Sequence, residues 1–398
     1  MVVTSIVRNR VRALGIVTAL AMSGTLVVTS AAFGAADPVQ SGTLKLKLSS
    51  GFKKQLKSNH VGMKPRSFSL TGGTLDPVTG AGTVNLKGKL TFKKGSKKVV
   101  YKKLTAKIGS GGYIKGKSGK VFKLKGGKVA RNGFGANVTG VKLSFLKGAA
   151  KAINKKLGLH SLHKGSAGKA SANNVQPSEV TLVSGSSDLV ANLATFAKFG
   201  HHCVSPANGG TTGTVGIQPI APATEIASPP TFTFPIAGGT LSPAGTSGAA
   251  NAAGGIQITQ NLNTANIPTT GANCNLIAGS GVRQLKQTDL VLDLNTKQIQ
   301  AHIVISGTNN TSLDGDKGTA FIGTINLTGA TVTADASTRK ITITNAAAAF
   351  NATSAVVLNG VFPCDFNSGF DMTTGCTGPN AFVAGDPIGT VSVSGQAQ

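Results

Sequence analysis

Along much of this chain apolar and polar residues alternate with a period of two. Leu44, Leu46 and Leu48 are separated by Lys45 and Lys47, and Val84, Leu86, Leu90 and Phe92 face away from Asn85, Lys87, Lys89 and Lys93. Such alternation is the signature of a strand buried on one face. Leu104, Ala106 and Ile108 continue it, and LVLDL, QIQAHIVISG, GTINLTGATVT and KITITNA carry it through the second half. Helical spacing is confined to short stretches: GFKKQLKSNHVG, GAAKAINKKLGL and NATSAVVLNGVF, with EVTLVSGSSDLVANLATFAKFG at 179–200 running from a strand into a helix with a Ser-rich start. The pattern predicts an all-β protein made of two tandem β-sandwich-like domains, each with one or two short helices.

The duplication is written in the sequence. FSLTGGTLDP at 68–77 returns as FPIAGGTLSP at 234–243, and the order strand, helix, several strands, helix, strand surrounds both copies. The predicted domains run over 40–175 and 178–398. Gly72-Gly73 and Gly238-Gly239 mark a sharp turn or bulge where side chains would obstruct the backbone. AGKASA and IGTVSV match as the closing strand of each copy.

Residues 1–36 read as an export signal. Arg8, Arg10 and Arg12 precede an uncharged apolar run, and small residues end it, with cleavage after Ala36 or after Gly34. An uncleaved anchor is the alternative. The expected location is extracellular or at the cell surface, with no transmembrane segment in the mature chain. Cys203, Cys274, Cys364 and Cys376 make an even count, which in an exported protein predicts two disulfides. Cys364–Cys376 with Cys203–Cys274 is the simplest pairing, and the two other pairings stay open.

Charge divides the halves. Residues 37–200 hold 31 lysines and arginines against Asp37, Asp76, Glu179 and Asp188, whereas residues 201–398 hold 6 against 9 acidic residues. A field of this sign attracts polyanions. The segment with Lys87, Lys89, Lys93, Lys94, Lys97, Lys98, Lys102 and Lys103 is the expected contact, with an anionic cell-wall or surface polymer as partner. Nucleic acid fits poorly, because Tyr101, Tyr113 and a few Phe are the only rings available for stacking. The chain carries no G-x-S-x-G, H-E-x-x-H or phosphate-loop motif, so no enzyme activity is expected. Asp314 and Asp316 read as a turn, since the rest of a calcium loop is missing.

GTVNLKGKLTF at 82–92, FPIAGGTLSP with AANAAGGIQI, and FVAGDPIGTVSVSG resemble the HtaA domain family of exported actinobacterial proteins. The resemblance implies a secreted β-domain of the haem-uptake lineage. In that family haemin is held by a Tyr after the first strand and a His in the central hairpin. Here Gln55 stands at the first position and Lys94-Gly95 at the second, and the second copy has Ala and Asn at the first position and no hairpin His. The expectation is therefore a non-catalytic binding protein without the family's haem ligands and without a cofactor or metal. The alternative is a haemin-binding protein of iron acquisition that uses His60, His201 and His202, since imidazole ligates haem iron well. His160 and His163 read as surface histidines.

Overall fold

The computed structural model describes residues 36–200, 213–227, 229–262, 282–308, 312–362, 370–371, 375–376 and 381–398. The export signal, His201, His202, Cys203, Cys274 and Cys364 lie outside them, as does the side chain of Cys376.

The first domain is a nine-stranded antiparallel sheet. In spatial order its strands are Lys128–Asn132, Gly135–Phe145, Gly165–Pro177, Asp37–Leu48, Ser67–Leu75, Gly82–Leu86, Leu104–Ile108, Tyr113–Gly116 and Gly119–Lys125. The last strand also pairs with the second, placing Phe122 opposite Phe145. Eight strands thus close into a barrel, and the edges that an open sheet would expose are paired.

The second domain repeats the ring. Val180–Ala191, Pro230–Leu241, Gly248–Leu262, Val282–Asp293, Gln298–Ser306, Gly315–Asn326, Lys340–Phe350 and Pro387–Ala397 are each hydrogen-bonded to the next, and the last pairs with the first. Position by position this is the order of the first barrel. The all-β expectation holds, and the two faces of the expected sandwich are continuous at both sides.

The repeated Gly-Gly motif has the same role twice. In both copies it sits at a register shift inside a strand. Gly73 has φ +100° and Gly239 has φ +113°, and a Cβ on either would stand 2.1 Å and 2.3 Å from the carbonyl oxygens of Thr83 and Ala249. Only glycine fits so close a backbone approach. The turn follows the motif. Asp76 accepts from the amides of Val78 and Thr79 and from the Thr79 hydroxyl, and Ser242 accepts from the amides of Thr246 and Ser247.

Among the described residues four helices cap the rings: α1 (Ser50–Ser58), α2 (Lys147–Leu157), α3 (Leu193–Gly200) and α4 (Ala352–Val361). Ser49 caps α1 by accepting from Phe52 N, and Asn351 caps α4 by accepting from Ser354 N. α2 buries Ala149, Ala150, Ile153 and Leu157 on one face and ends at Gly158 in the left-handed conformation. No helix among the described residues is long and apolar enough to cross a membrane.

A hairpin of the first barrel docks on the second. Its tip residue Phe134 belongs to the second domain's apolar core. Arg339 donates to the carbonyls of Gly133 and Phe134 at 3.0 and 2.7 Å, and Arg131 donates to the Gln398 carbonyl at 2.8 Å. Asp37 completes the joint, accepting from Thr181 N and Oγ1 at 3.0 Å with Arg339 Nη2 3.9 Å away. Burial holds the Asp37 carboxyl above its ordinary value, although the Thr181 hydrogen bonds and Arg339 pull the other way.

Candidate polyanion-binding face

The lysine-rich hairpin forms a small sheet of its own. Leu90–Lys94 pairs with Lys97–Tyr101 and with Gly62–Lys64. Leu90, Phe92, Val99, Tyr101 and Met63 are buried, while Lys87, Lys89, Lys93, Lys97, Lys98, Lys102 and Lys103 are exposed and Lys94 is half-buried. The register sets Lys93 opposite Lys98 and Lys94 opposite Lys97. α2 packs against both strands of this hairpin and adds the exposed Lys151, Lys155 and Lys156. α1 packs against Gly62–Lys64 and adds Lys53, Lys54 and Lys57.

A second basic feature runs across the barrel wall. Lys47 is opposite Lys169, Lys169 is opposite Lys142, and Lys142 is opposite Lys125. Four exposed lysines therefore stand side by side on four neighbouring strands. At a strand spacing of ~4.8 Å, the row extends over roughly 14 Å. Directly opposed like charges destabilise a sheet. Carboxylates do not relieve them: among residues 36–177 only Asp37 and Asp76 are acidic, the first in the interdomain joint and the second capping its turn. None of the ion pairs among the described residues includes a lysine of the first barrel.

The second barrel has the same row without charge. The corresponding residues are Val190, Thr390, Ala347 and Asn326, joined by the same pairings. The basic wall belongs to one copy of the fold.

Of the histidines, His60 is exposed at the end of α1 with φ 54°. The ring that meets Gln55 is another one: Gln55 Nε2 lies 2.7 Å from His163 Nδ1. Ser161 hydrogen-bonds Asn59 at the end of α1, and Asn154 Nδ2 in α2 donates to the Leu162 carbonyl at 2.8 Å, so the segment after α2 is tied to both helices. The i, i+3 spacing of His160 and His163 gave no hint of this contact with α1. Among the described residues no three His, Cys, Asp or Glu side chains come together as a metal site would need.

No family model matches the chain, and no curated protein matches it. Two solved structures from Corynebacterium glutamicum are similar in fold. The C-terminal domain of HtaA has 12% identity and a TM-score of 0.33, covering 55% of this chain and 99% of its own. The haem binding protein HtaB has 13% identity and a TM-score of 0.30, covering 55% of this chain and 96% of its own.

Proposed function

We propose that this chain is an exported, non-catalytic binding protein whose first barrel holds an anionic polymer of the cell envelope. The row Lys47–Lys169–Lys142–Lys125 carries the reading. It is an array of like charges, regularly spaced, exposed and without carboxylate partners, and a linear polyanion laid across the strands supplies the missing counter-charge. The lysines of the small sheet and of α1 and α2 extend the same field. The second barrel, neutral at the equivalent row, is the partner module on which the basic one is mounted. The test is binding of a fluorescent polyglycerol phosphate and of a polyuronate at rising salt. Affinity should fall steeply with ionic strength. Binding that is absent at low salt, or that salt leaves unchanged, would refute the proposal.

A second reading rests on His163. His163 sits beside Gln55, at the place where the resemblance puts a haem ligand, and HtaB is a haem binding protein. Its ring nitrogens lie 2.7 and 2.8 Å from Gln55 Nε2, so ligation requires that contact to open. Haemin titrated by absorbance at low and high salt separates the two. A saturable Soret shift that survives salt and is lost in His163→Ala supports haem ligation. A shift that salt abolishes is adsorption of the propionates to lysine.

A further inference from the structure

The two barrels differ inside as well as outside. In the first, the interior beneath the helices is filled by rings: Phe145 lies 5.2 Å from Phe52, 5.7 Å from Phe122 and 6.1 Å from Phe92, centroid to centroid. The registers give the counterparts in the second. Phe145, the last residue of its strand, corresponds to Phe350, and their cross-strand partners are Phe122 and Gly323. The burial pattern agrees, since Val121 and Phe122 are consecutive buried residues followed by Lys123 exposed and Leu124 buried, as are Ile322, Gly323, Thr324 and Ile325. Counting from the helix caps Ser49 and Asn192, Phe52 corresponds to Thr195. Two of the rings that fill the first barrel are thus a glycine and a threonine in the second.

Neither substitution leaves its space open in a simple way, since Ile388 Cδ1 stands 2.8 Å from where a Cβ on Gly323 would lie. A cavity of about 60 Å³ nevertheless lies within the second barrel, bordered by Phe199, Leu290, Ile322, Phe350, Leu358 and Val391 among others. Fourteen of its sixteen lining residues are apolar, the exceptions being Ser187 and Gln287. A water needs two to four polar partners, whereas apolar cavities stay dry and take up xenon or hydrocarbon. Leu189, Phe196 and Gln287 are half-buried and mark the side from which it is reached.

We propose that the second barrel is a binding site for a small apolar hydrocarbon group, either a free molecule or the end of an acyl chain. The site is independent of the lysine wall.

The test is methyl NMR of the full chain under xenon pressure, followed by titration with alkanoates from butanoate to decanoate. Saturable shifts are expected at the methyls of Leu290, Leu292, Ile299 and Ile322, with none at Val84, Leu90 and Leu104 in the first barrel. Val391→Phe should weaken xenon binding at least tenfold, and Val391→Ile, the gentler change, should weaken it in the same direction. Alkanoate affinity that rises with chain length at the same methyls assigns the end of an acyl chain. Xenon binding without alkanoate binding assigns a free small molecule. Absence of saturable shifts in the unmodified chain, equal shifts in both barrels, or xenon affinity unchanged in both variants would overturn the proposal.

Discussion

Reversing one charge at the centre of the lysine row should make the protein more stable and less able to bind. Lys142 is flanked on both sides, by Lys169 and Lys125, so Lys142→Glu acts on two contacts at once. Two unit charges ~5 Å apart interact by roughly 0.8 kcal/mol in water. Screening at physiological salt, with a Debye length of ~8 Å, cuts that by about half. Changing each contact from repulsion to attraction is therefore a swing of about 0.8 kcal/mol, and two contacts give about 1.6 kcal/mol of added stability.

Urea unfolding at two salt concentrations measures this directly, and the gain should shrink as salt rises. In the same variant the slope of log affinity for polyglycerol phosphate against log salt should flatten by about 1 to 2, because the wall has lost two units of charge. Lys128→Glu is the control. It makes the same change in net charge, but its pairing partner is Thr139. It should move stability by no more than a few tenths of a kcal/mol. A Lys142→Glu protein no more stable than the unmodified chain would refute the electrostatic reading of the row. A stable variant with an unchanged salt slope would refute its role in binding.

The aromatic interior gives the next contrast: Phe145→Ala should cost about 3–5 kcal/mol in urea unfolding, and Phe350→Ala roughly 1 kcal/mol less, because Phe350 already borders a cavity. Gly73→Ala should destabilise the first barrel by at least ~2 kcal/mol, since its Cβ would stand 2.1 Å from the Thr83 carbonyl oxygen at φ +100°. Asp37 sets an acid-side dependence. Its folded pKa lies above the ordinary 3.8, so the native state binds the proton more tightly and stability falls as pH rises through that window. Asp37→Asn should remove this slope between pH 4 and the folded pKa in thermal melts read against pH, and a slope that persists would place its origin elsewhere.

How much of this could be read from the sequence depended on whether the relation was local. The alternation of Leu44, Leu46 and Leu48 with Lys45 and Lys47 names both the strand and its exposed face, because side chains in a strand alternate sides whatever the neighbours are. The Gly-Gly motif was equally legible, as a bulge needs glycine wherever two backbones approach. The row Lys47–Lys169–Lys142–Lys125 was not. Each lysine is plainly on an outer face, but which four stand in line is fixed by the register of four strands distant in sequence. The hairpin 87–103 stood out because its lysines are consecutive, and consecutive charges are what a sequence displays. For the same reason Gln55 could be singled out as a position after the first strand, but not its contact with His163, 108 residues away.

The cavity was illegible too. Its walls come from Leu189, Phe234, Ile258, Leu290, Phe350 and Val391, which are far apart in sequence, and no local pattern says that their side chains leave a gap. Matching the two rings of strands sets Gly323 on Phe122 and Thr195 on Phe52, but neither residue borders the cavity, and the Ile388 side chain occupies the space beside Gly323. The Phe145 cluster and the lysine row also oppose one another energetically. Like charges aligned on the outer wall repel across four strands, and the rings of Phe122 and Phe145 on the inner side of two of those strands, packed with Phe52 and Phe92, offset that repulsion. The second barrel, with Val190, Thr390, Ala347 and Asn326 on its outer row, carries no such repulsion. At ~24 cal/mol per Å³ a cavity of about 60 Å³ costs about 1.4 kcal/mol, close to the stability gained by Lys142→Glu. A protein combining Lys142→Glu with Phe122→Ala should therefore come closer to the stability of the unmodified chain than Phe122→Ala alone, and denaturation of the three proteins side by side decides it. If the double variant is no more stable than the single one, the inner rings and the outer charges do not share one balance.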